Sequence, residues 1–114
     1  MDVYKELCTV IERAEEEFSG VRALNQDRFA EIEPACESAG RFAAGFGAGF
    51  LDIEIDNATG DLYFSAEVED MIVRKDDPHG FYDLASASDG IVFEKLRGDK
   101  LRVSFRFDRL WSDV

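Results

Sequence analysis

The most regular pattern of hydrophobic and polar residues in the chain lies between positions 51 and 68. Hydrophobic residues occupy every second position in two segments, on either side of the polar stretch from Asp56 to Asp61. They are Leu51, Ile53 and Ile55 in the first segment and Leu62, Phe64, Ala66 and Val68 in the second. A period of two is typical of a strand with one buried face. The pattern therefore predicts a β-hairpin.

The turn sets the register that we predict for this hairpin. If Asp56 faces Asp61 across a four-residue loop, with Gly60 in a left-handed conformation, Ile53 lies opposite Phe64. All the hydrophobic residues then share one face. A slip of one residue would turn that face to the solvent, so the register is well specified.

The opposite face of the same hairpin is acidic, with Tyr63 near its middle. We call it the acidic stripe, and it consists of Asp52, Glu54, Asp56, Asp61, Glu67 and Glu69. We expect like charges to face each other across the two strands, at a cost of about 0.2–1 kcal/mol per pair. Because this cost is repeated along one strand pair, these residues and Tyr63 are candidates for partner binding.

Two segments near the N-terminus have hydrophobic residues at the three- and four-residue spacing of an α-helix. The first begins after Asp2, a favourable capping residue, and ends at Ser19-Gly20. The second begins after Asn25, and its hydrophobic stripe continues to Phe46. Pro34 lies off that stripe, so the segment forms either one kinked helix or two shorter helices.

Small residues and phenylalanines alternate between positions 40 and 50. Glycines that bind a phosphate follow a strand and open a helix, whereas these follow a helix and precede a strand. An RNA-binding strand with a similar pattern needs a basic flank, but Asp52 and Glu54 follow here. We interpret the stretch as a tight connection between helix and strand.

A second hairpin is predicted near the C-terminus, between residues 91–96 and residues 101–107. The pairing places Phe93 opposite Val103, Ile91 opposite Phe105 and Glu94 opposite Arg102. Between the two hairpins, we predict that the second strand continues through residues 71–73. Loops then follow at 74–80 and 85–90, with a short strand or turn at 81–84 between them. Trp111 is expected to cover the core or a sheet edge.

Helices followed by antiparallel strands predict an α+β fold in a single domain of residues 1–114. The N-terminal helices, in a helical layer of residues 1–47, pack on one face of a four- to five-stranded antiparallel meander sheet at residues 50–110. A chain of this length buries about two-thirds of its unfolded surface, which is enough for a core without staples.

The charge is strongly negative and unevenly distributed. The chain has 25 acidic and 13 basic side chains, a net charge of −12, and residues 51–90 alone carry 11 acidic against 2 basic side chains. Residues 91–114 carry 6 basic against 4 acidic side chains. A folded surface of this kind repels phosphates and attracts basic partners, so we expect no direct contact with nucleic acid.

Few residue combinations point to catalysis. No nucleophile–base pair or phosphate loop is recognisable, and we expect no cofactor. Cys8 and Cys36 lie in helical patterns and are expected to be reduced and mostly buried. His79 is the only histidine and there is no Cys-x-x-Cys pair, so we expect no metal site.

These features favour a binding protein over an enzyme. The leading hypothesis is an acidic inhibitor of a basic protein, either a bacterial immunity protein that neutralises a nuclease-type toxin or a phage-type inhibitor that imitates nucleic acid. The alternative is a small-ligand-binding or enzymatic domain, with Tyr63, Tyr82 and His79 supplying polar groups to a pocket between helices and sheet. Without a leader or a membrane span in the sequence, a cytoplasmic location is expected. Monomer and homodimer are equally compatible with the sequence.

Overall fold

Helices come first and strands dominate the second half of the chain, in the computed structural model as in the sequence prediction. The structure describes residues 2–45, 51–69 and 80–114. In chain order the elements are α1 (Val3–Glu17), β1 (Arg22–Leu24), α2 (Gln26–Gly45), β2 (Asp52–Ile55), β3 (Leu62–Glu69), α3 (Phe81–Ala87), β4 (Gly90–Lys95), β5 (Lys100–Phe107) and β6 (Trp111–Asp113). The predicted α+β class, with N-terminal helices and an antiparallel sheet, is confirmed.

The main sheet has four antiparallel strands in the order β2-β3-β5-β4. Both predicted registers are confirmed, with Ile53 opposite Phe64 in one hairpin and Phe93 opposite Val103 in the other. The order differs from the predicted meander, because β5 rather than β4 pairs with β3. These two strands are the longest, and their alternating buried residues favour the centre of the sheet, which leaves β4 at one edge.

Both N-terminal helices begin at the predicted caps. The Lys5 amide donates to the Asp2 carboxylate and the Arg28 amide donates to the Asn25 side chain, each at 3.1 Å. The helix α2 is continuous through Pro34, which lies on its exposed side. The question of one helix or two is therefore resolved in favour of one. Across the described residues, no helix combines the length and hydrophobicity that a membrane span requires.

Residues 81–87 form the helix α3. The predicted strand or turn at 81–84 is therefore wrong, and so is the first part of the loop predicted at 85–90. Phe81, Leu84 and Ala85 have helical spacing, and they turn toward the core, where Leu84 is fully buried. The helix is only seven residues long. So short a segment does not distinguish helical from strand periodicity, which explains why the sequence prediction failed here.

A second, two-stranded sheet of β1 and β6 was not predicted. It pairs Leu24 with Trp111. Trp111 is buried, and its ring packs against that of Phe18 in an edge-to-face arrangement with the centroids 5.2 Å apart. The expectation that Trp111 covers the core is thus confirmed. Gly60 has the predicted left-handed conformation (φ 78°), and a Cβ at this position would lie 3.0 Å from the Trp111 Cβ. The turn of the first hairpin therefore packs closely against β6.

The core lies between the helices and one face of the main sheet. Its centre is aromatic, and Phe42, Phe64, Phe105 and Phe107 have no exposed surface. Phe42 of α2 and Phe81 of α3 contact Phe105 with ring centroids 5.3 and 5.7 Å apart. This arrangement places α2 and α3 on the apolar face of the sheet.

Arg28 is a buried charge that connects three parts of the fold. Its guanidinium group donates to the Asp108 carbonyl oxygen at 2.8 Å and to Glu31 at 2.9 Å, and it forms an ion pair with Asp89. The Asp89 carboxylate also accepts the Asp108 amide at 2.7 Å. We call these four residues the Arg28 cluster. It joins the start of α2 to the turn before β4 and to the end of β5.

Some predictions lie outside the described residues. They are the end of the α2 stripe at Phe46, the phenylalanine at position 50, the strand continuation through residues 71–73 and the position of His79.

Candidate functional site

The polar face of the main sheet carries most of the predicted partner-binding residues. Three rows of side chains cross it, and the register gives their members. They are Glu54, Tyr63, Arg106 and Gly90 in the first row, Asp52, Ser65, Ser104 and Val92 in the second, and Glu67, Arg102 and Glu94 in the third. The acidic stripe and the arginines of β5 therefore share one surface.

The carboxylates of the acidic stripe do not oppose each other along β2 and β3, contrary to our expectation. Asp52 lies opposite Ser65, and Glu54 lies opposite Tyr63. In the described register Glu67 and Glu69 lie beyond the residues of β3 that pair with β2, so Asp52 and Glu54 each face an uncharged side chain. Asp56 and Asp61 are opposed at the turn, where the Asp56 amide donates to the Asp61 carbonyl oxygen at 2.9 Å. Repulsion between β2 and β3 is therefore not evidence for function.

Two members of the acidic stripe have structural partners. Asp52 accepts a hydrogen bond from Arg102 at 3.0 Å, across β3, and both side chains are about two-thirds or more buried. The Asp56 carboxylate accepts the Ala58 amide at 2.8 Å and thereby holds the turn. These contacts explain two of the acidic residues without any external partner.

Three members of the acidic stripe are exposed: Glu54 on β2, and Glu67 and Glu69 on β3. None of their carboxylates forms a hydrogen bond or ion pair with the described part of the chain. By register, Glu67 lies opposite Arg102 and Glu69 opposite Lys100, so β5 supplies positive charge to one side of them. Tyr63, half-buried, lies beside Glu54. We call Glu54, Glu67 and Glu69 the exposed carboxylates.

Arg106 is held away from the exposed carboxylates. Its Nε donates to Asp108 at 2.7 Å, and its guanidinium group lies over Gly90 at the opposite edge of the sheet. The hydrogen bond with Asp108, and the charge of that carboxylate, raise the pKa of Arg106. Two arginines of β5 are thus paired within the chain, Arg102 with Asp52 and Arg106 with Asp108.

The predicted pocket between helices and sheet is not assembled from Tyr63 and Tyr82. Tyr63 lies on the polar face, whereas Tyr82 belongs to α3, which packs on the apolar face, and Tyr82 is 57% exposed. His79, the third residue of this hypothesis, is outside the described residues. Within residues 2–45, 51–69 and 80–114, no group of three or more His, Cys, Asp and Glu side chains is arranged to hold a metal ion.

A groove of about 670 Å³ lies between the start of α1 and the middle of α2. Its charged lining consists of Asp2, Glu33, Glu37 and Arg41, and Cys36 also lines it. No sequence signal marks this groove, because its residues are brought together only by the packing of two helices.

Both cysteines have free thiols, and they differ in exposure. Cys36 is 5% exposed, and Cys8 is half-buried. Burial, followed by the nearby charges of Cys8, Glu33 and Asp2, raises the pKa of the Cys36 thiol to about 12. Since the ordinary value is 9.0, unfolding becomes more favourable as the pH rises from about 9 toward about 12, where only the unfolded thiol is ionised.

We predict that Cys36 resists alkylation in the native protein at neutral pH, because both burial and the raised pKa suppress the reactive thiolate. A Cys8→Ser variant, in which Cys36 is the only thiol, is expected to react at least about tenfold more slowly than free cysteine, and fully once denatured. A Cys36→Ala variant serves as the control and should retain a thiol that reacts measurably. Rapid native labelling of Cys8→Ser would contradict the burial of Cys36.

Comparison of the chain with models of protein families, with curated proteins and with solved structures finds no match. The function of the protein is therefore inferred from the surface described above.

Proposed function

We propose that this protein is an acidic protein-binding inhibitor whose partner presents a basic surface. The observation that carries the proposal is the group of exposed carboxylates on the polar face of the sheet. The described helices α2 and α3 pack on the other face through Phe105. The strands fix the backbone positions of these three glutamates, so the sheet face presents their negative charges to a partner in a set pattern.

A basic cleft is the surface that such carboxylates fit best. A one-sided negative surface accelerates encounter with a positive cleft by about 10–1000-fold. A bacterial immunity protein that neutralises a nuclease-type toxin is the most concrete form of this function. A phage-type inhibitor whose carboxylates imitate phosphates is the related form. In both, the inhibitor occupies the cleft that would otherwise bind nucleic acid.

We expect binding of the partner to depend on where the carboxylates lie and not only on the net charge of the protein. The test variant is Glu54→Gln/Glu67→Gln/Glu69→Gln, which neutralises the exposed carboxylates. The matched control is Glu12→Gln/Glu15→Gln/Glu16→Gln, which neutralises three exposed carboxylates on α1. Both variants change the net charge of −12 by the same amount. Asp52 and Asp56 are left unchanged, because they have structural partners.

The three proteins are immobilised in parallel to capture partners from native lysate, and association rates are then measured at low and moderate salt. We expect the sheet variant to associate about tenfold or more slowly than the wild type, with a flatter salt dependence, because exposed charges act mainly on the association rate. The α1 variant should stay close to the wild type. Equal rates and salt slopes for wild type and sheet variant would refute the proposal.

A further inference from the structure

Strand β4 exposes hydrophobic side chains on both of its faces at an edge of the main sheet. Val92, on the polar face, is 53% exposed, and Phe93, on the apolar face, is 50% exposed. Among the described strands, β4 pairs only with β5. An edge strand carries unpaired backbone N–H and C=O groups, and natural proteins usually protect such an edge from pairing. The Ile91-Val92-Phe93 segment instead favours pairing, because all three residues have high β-propensity.

The direction of the backbone groups in β4 follows from its hairpin turn. The Leu96 amide donates to the Lys100 carbonyl oxygen at 3.0 Å, so these residues form a hydrogen-bonded pair. Hydrogen-bonded pairs alternate in an antiparallel ladder. Gly90, Val92 and Glu94 therefore bond to β5, while the N–H and C=O groups of Ile91 and Phe93 point away from the sheet.

We propose that the protein forms a two-fold symmetric dimer in which β4 pairs with β4 of a second copy, antiparallel and centred on Val92. In this register Ile91 lies opposite Phe93 of the second copy, and Phe93 opposite its Ile91. The outward backbone groups of both strands then form hydrogen bonds with each other. The two copies of Val92 meet at the axis on the polar face, so the exposed hydrophobic residues of each copy cover those of the other.

Charge complementarity favours this register over those shifted toward Glu94. A pairing centred on Phe93 would place Val92 against Glu94, and one centred on Glu94 would place two carboxylates together. Centred on Val92, Glu94 lies opposite Gly90 of the second copy. The Arg106 guanidinium group covers Gly90, since a Cβ at Gly90 would lie 3.1 Å from the Arg106 Nη2 atom. Each Glu94 therefore meets the guanidinium group of an arginine.

The distribution of charge along the chain also favours contact at β4. Residues 91–114 carry 6 basic and 4 acidic side chains, whereas β2, at the other edge, carries Asp52 and Glu54. Two copies therefore repel each other less at the β4 edge than at the β2 edge. The dimer would have one continuous sheet with the acidic strands at its outer ends. An edge-to-edge contact is small, so the dimer is expected to dissociate on dilution.

The test is the molar mass of the purified chain over a range of concentrations, measured by sedimentation equilibrium at moderate salt. The wild type is expected to rise from 12.8 kDa toward twice that mass. Val92→Lys, at an exposed position, should remain monomeric with an unchanged urea midpoint, and Val92→Thr should still dimerise. Glu94→Lys should weaken dimerisation by about tenfold, because it places a lysine beside Arg106 of the second copy.

A control variant with the same change of net charge distinguishes the contact at β4 from the overall repulsion between two copies. Glu12→Lys on α1 alters the net charge as much as Glu94→Lys does, but at an exposed position on a helix that packs toward the other edge, at β2. It should leave dimerisation equal or slightly stronger. A wild type that stays monomeric at millimolar concentration, or a Val92→Lys variant that dimerises as the wild type does, would overturn the proposal. Binding of a basic partner is measured separately, with the Glu54, Glu67 and Glu69 variant, so the two proposals can fail independently.

Discussion

Replacing Phe64 with alanine is expected to lower the free energy of unfolding by about 3–5 kcal/mol. Phe64 has no exposed surface and lies opposite Ile53 on β2 and Phe105 on β5. Its ring packs against that of Phe107, with the ring centroids 5.2 Å apart. Removal of the ring leaves a cavity at the centre of the sheet, where β2, β3 and β5 meet and the backbone cannot collapse into it. Domains of this size are stable by only about 5–15 kcal/mol, so the loss is a large fraction of the total.

The measurement is the urea midpoint together with its slope, compared with Tyr82→Ala. Tyr82 is also aromatic, but it is 57% exposed on α3. Its truncation is expected to cost less than about 1 kcal/mol. A loss of less than about 1 kcal/mol for Phe64→Ala, with an unchanged slope, would show that the centre of the sheet is packed differently.

Replacing Arg28 with methionine is expected to lower the free energy of unfolding by about 3 kcal/mol. Breaking a buried ion pair typically costs about 3–5 kcal/mol, and the lower end applies because Asp89 and Glu31 keep 30% and 61% of their side-chain surface in solvent. Methionine retains most of the apolar stem. The loss therefore reports the hydrogen bonds to the Asp108 carbonyl oxygen and to the two carboxylates.

The control is Arg41→Met. Arg41 pairs with Asp83 at 3.3 Å, with 54% and 67% of the two side chains exposed. An exposed pair of this kind is worth less than about 1 kcal/mol. Equal losses for the two arginine variants would mean that the Arg28 cluster does not join α2 to the sheet. Salt provides a second readout, because added salt should weaken the Arg41 pair more than the buried Arg28 cluster.

The acidic stripe shows how a correct strand register can still give a wrong energetic interpretation. The sequence predicted which residues share the polar face, and that prediction is confirmed for β2 and β3. The same register places Asp52 opposite Ser65, so the expected repulsion did not follow from it. The pairing of Asp52 with Arg102 could not be predicted, because Arg102 lies 50 positions away along the chain. Of the six members, the exposed carboxylates remain available for a partner.

The sequence by itself determined the first two helices and both hairpins of this protein. In each hairpin, the alternation of hydrophobic residues and the length of the turn allow one register, which buries Phe64 in the first hairpin and Val103 in the second. The capping residues Asp2 and Asn25 define where the first two helices begin. Only the tertiary structure decided the strand order, the small sheet that includes Trp111, the helix α3 and the partners of Arg28. The physical reason is the separation along the chain over which each effect acts. Periodicity and capping act between residues a few positions apart, whereas these features depend on burial and charge compensation between segments that are distant in the chain.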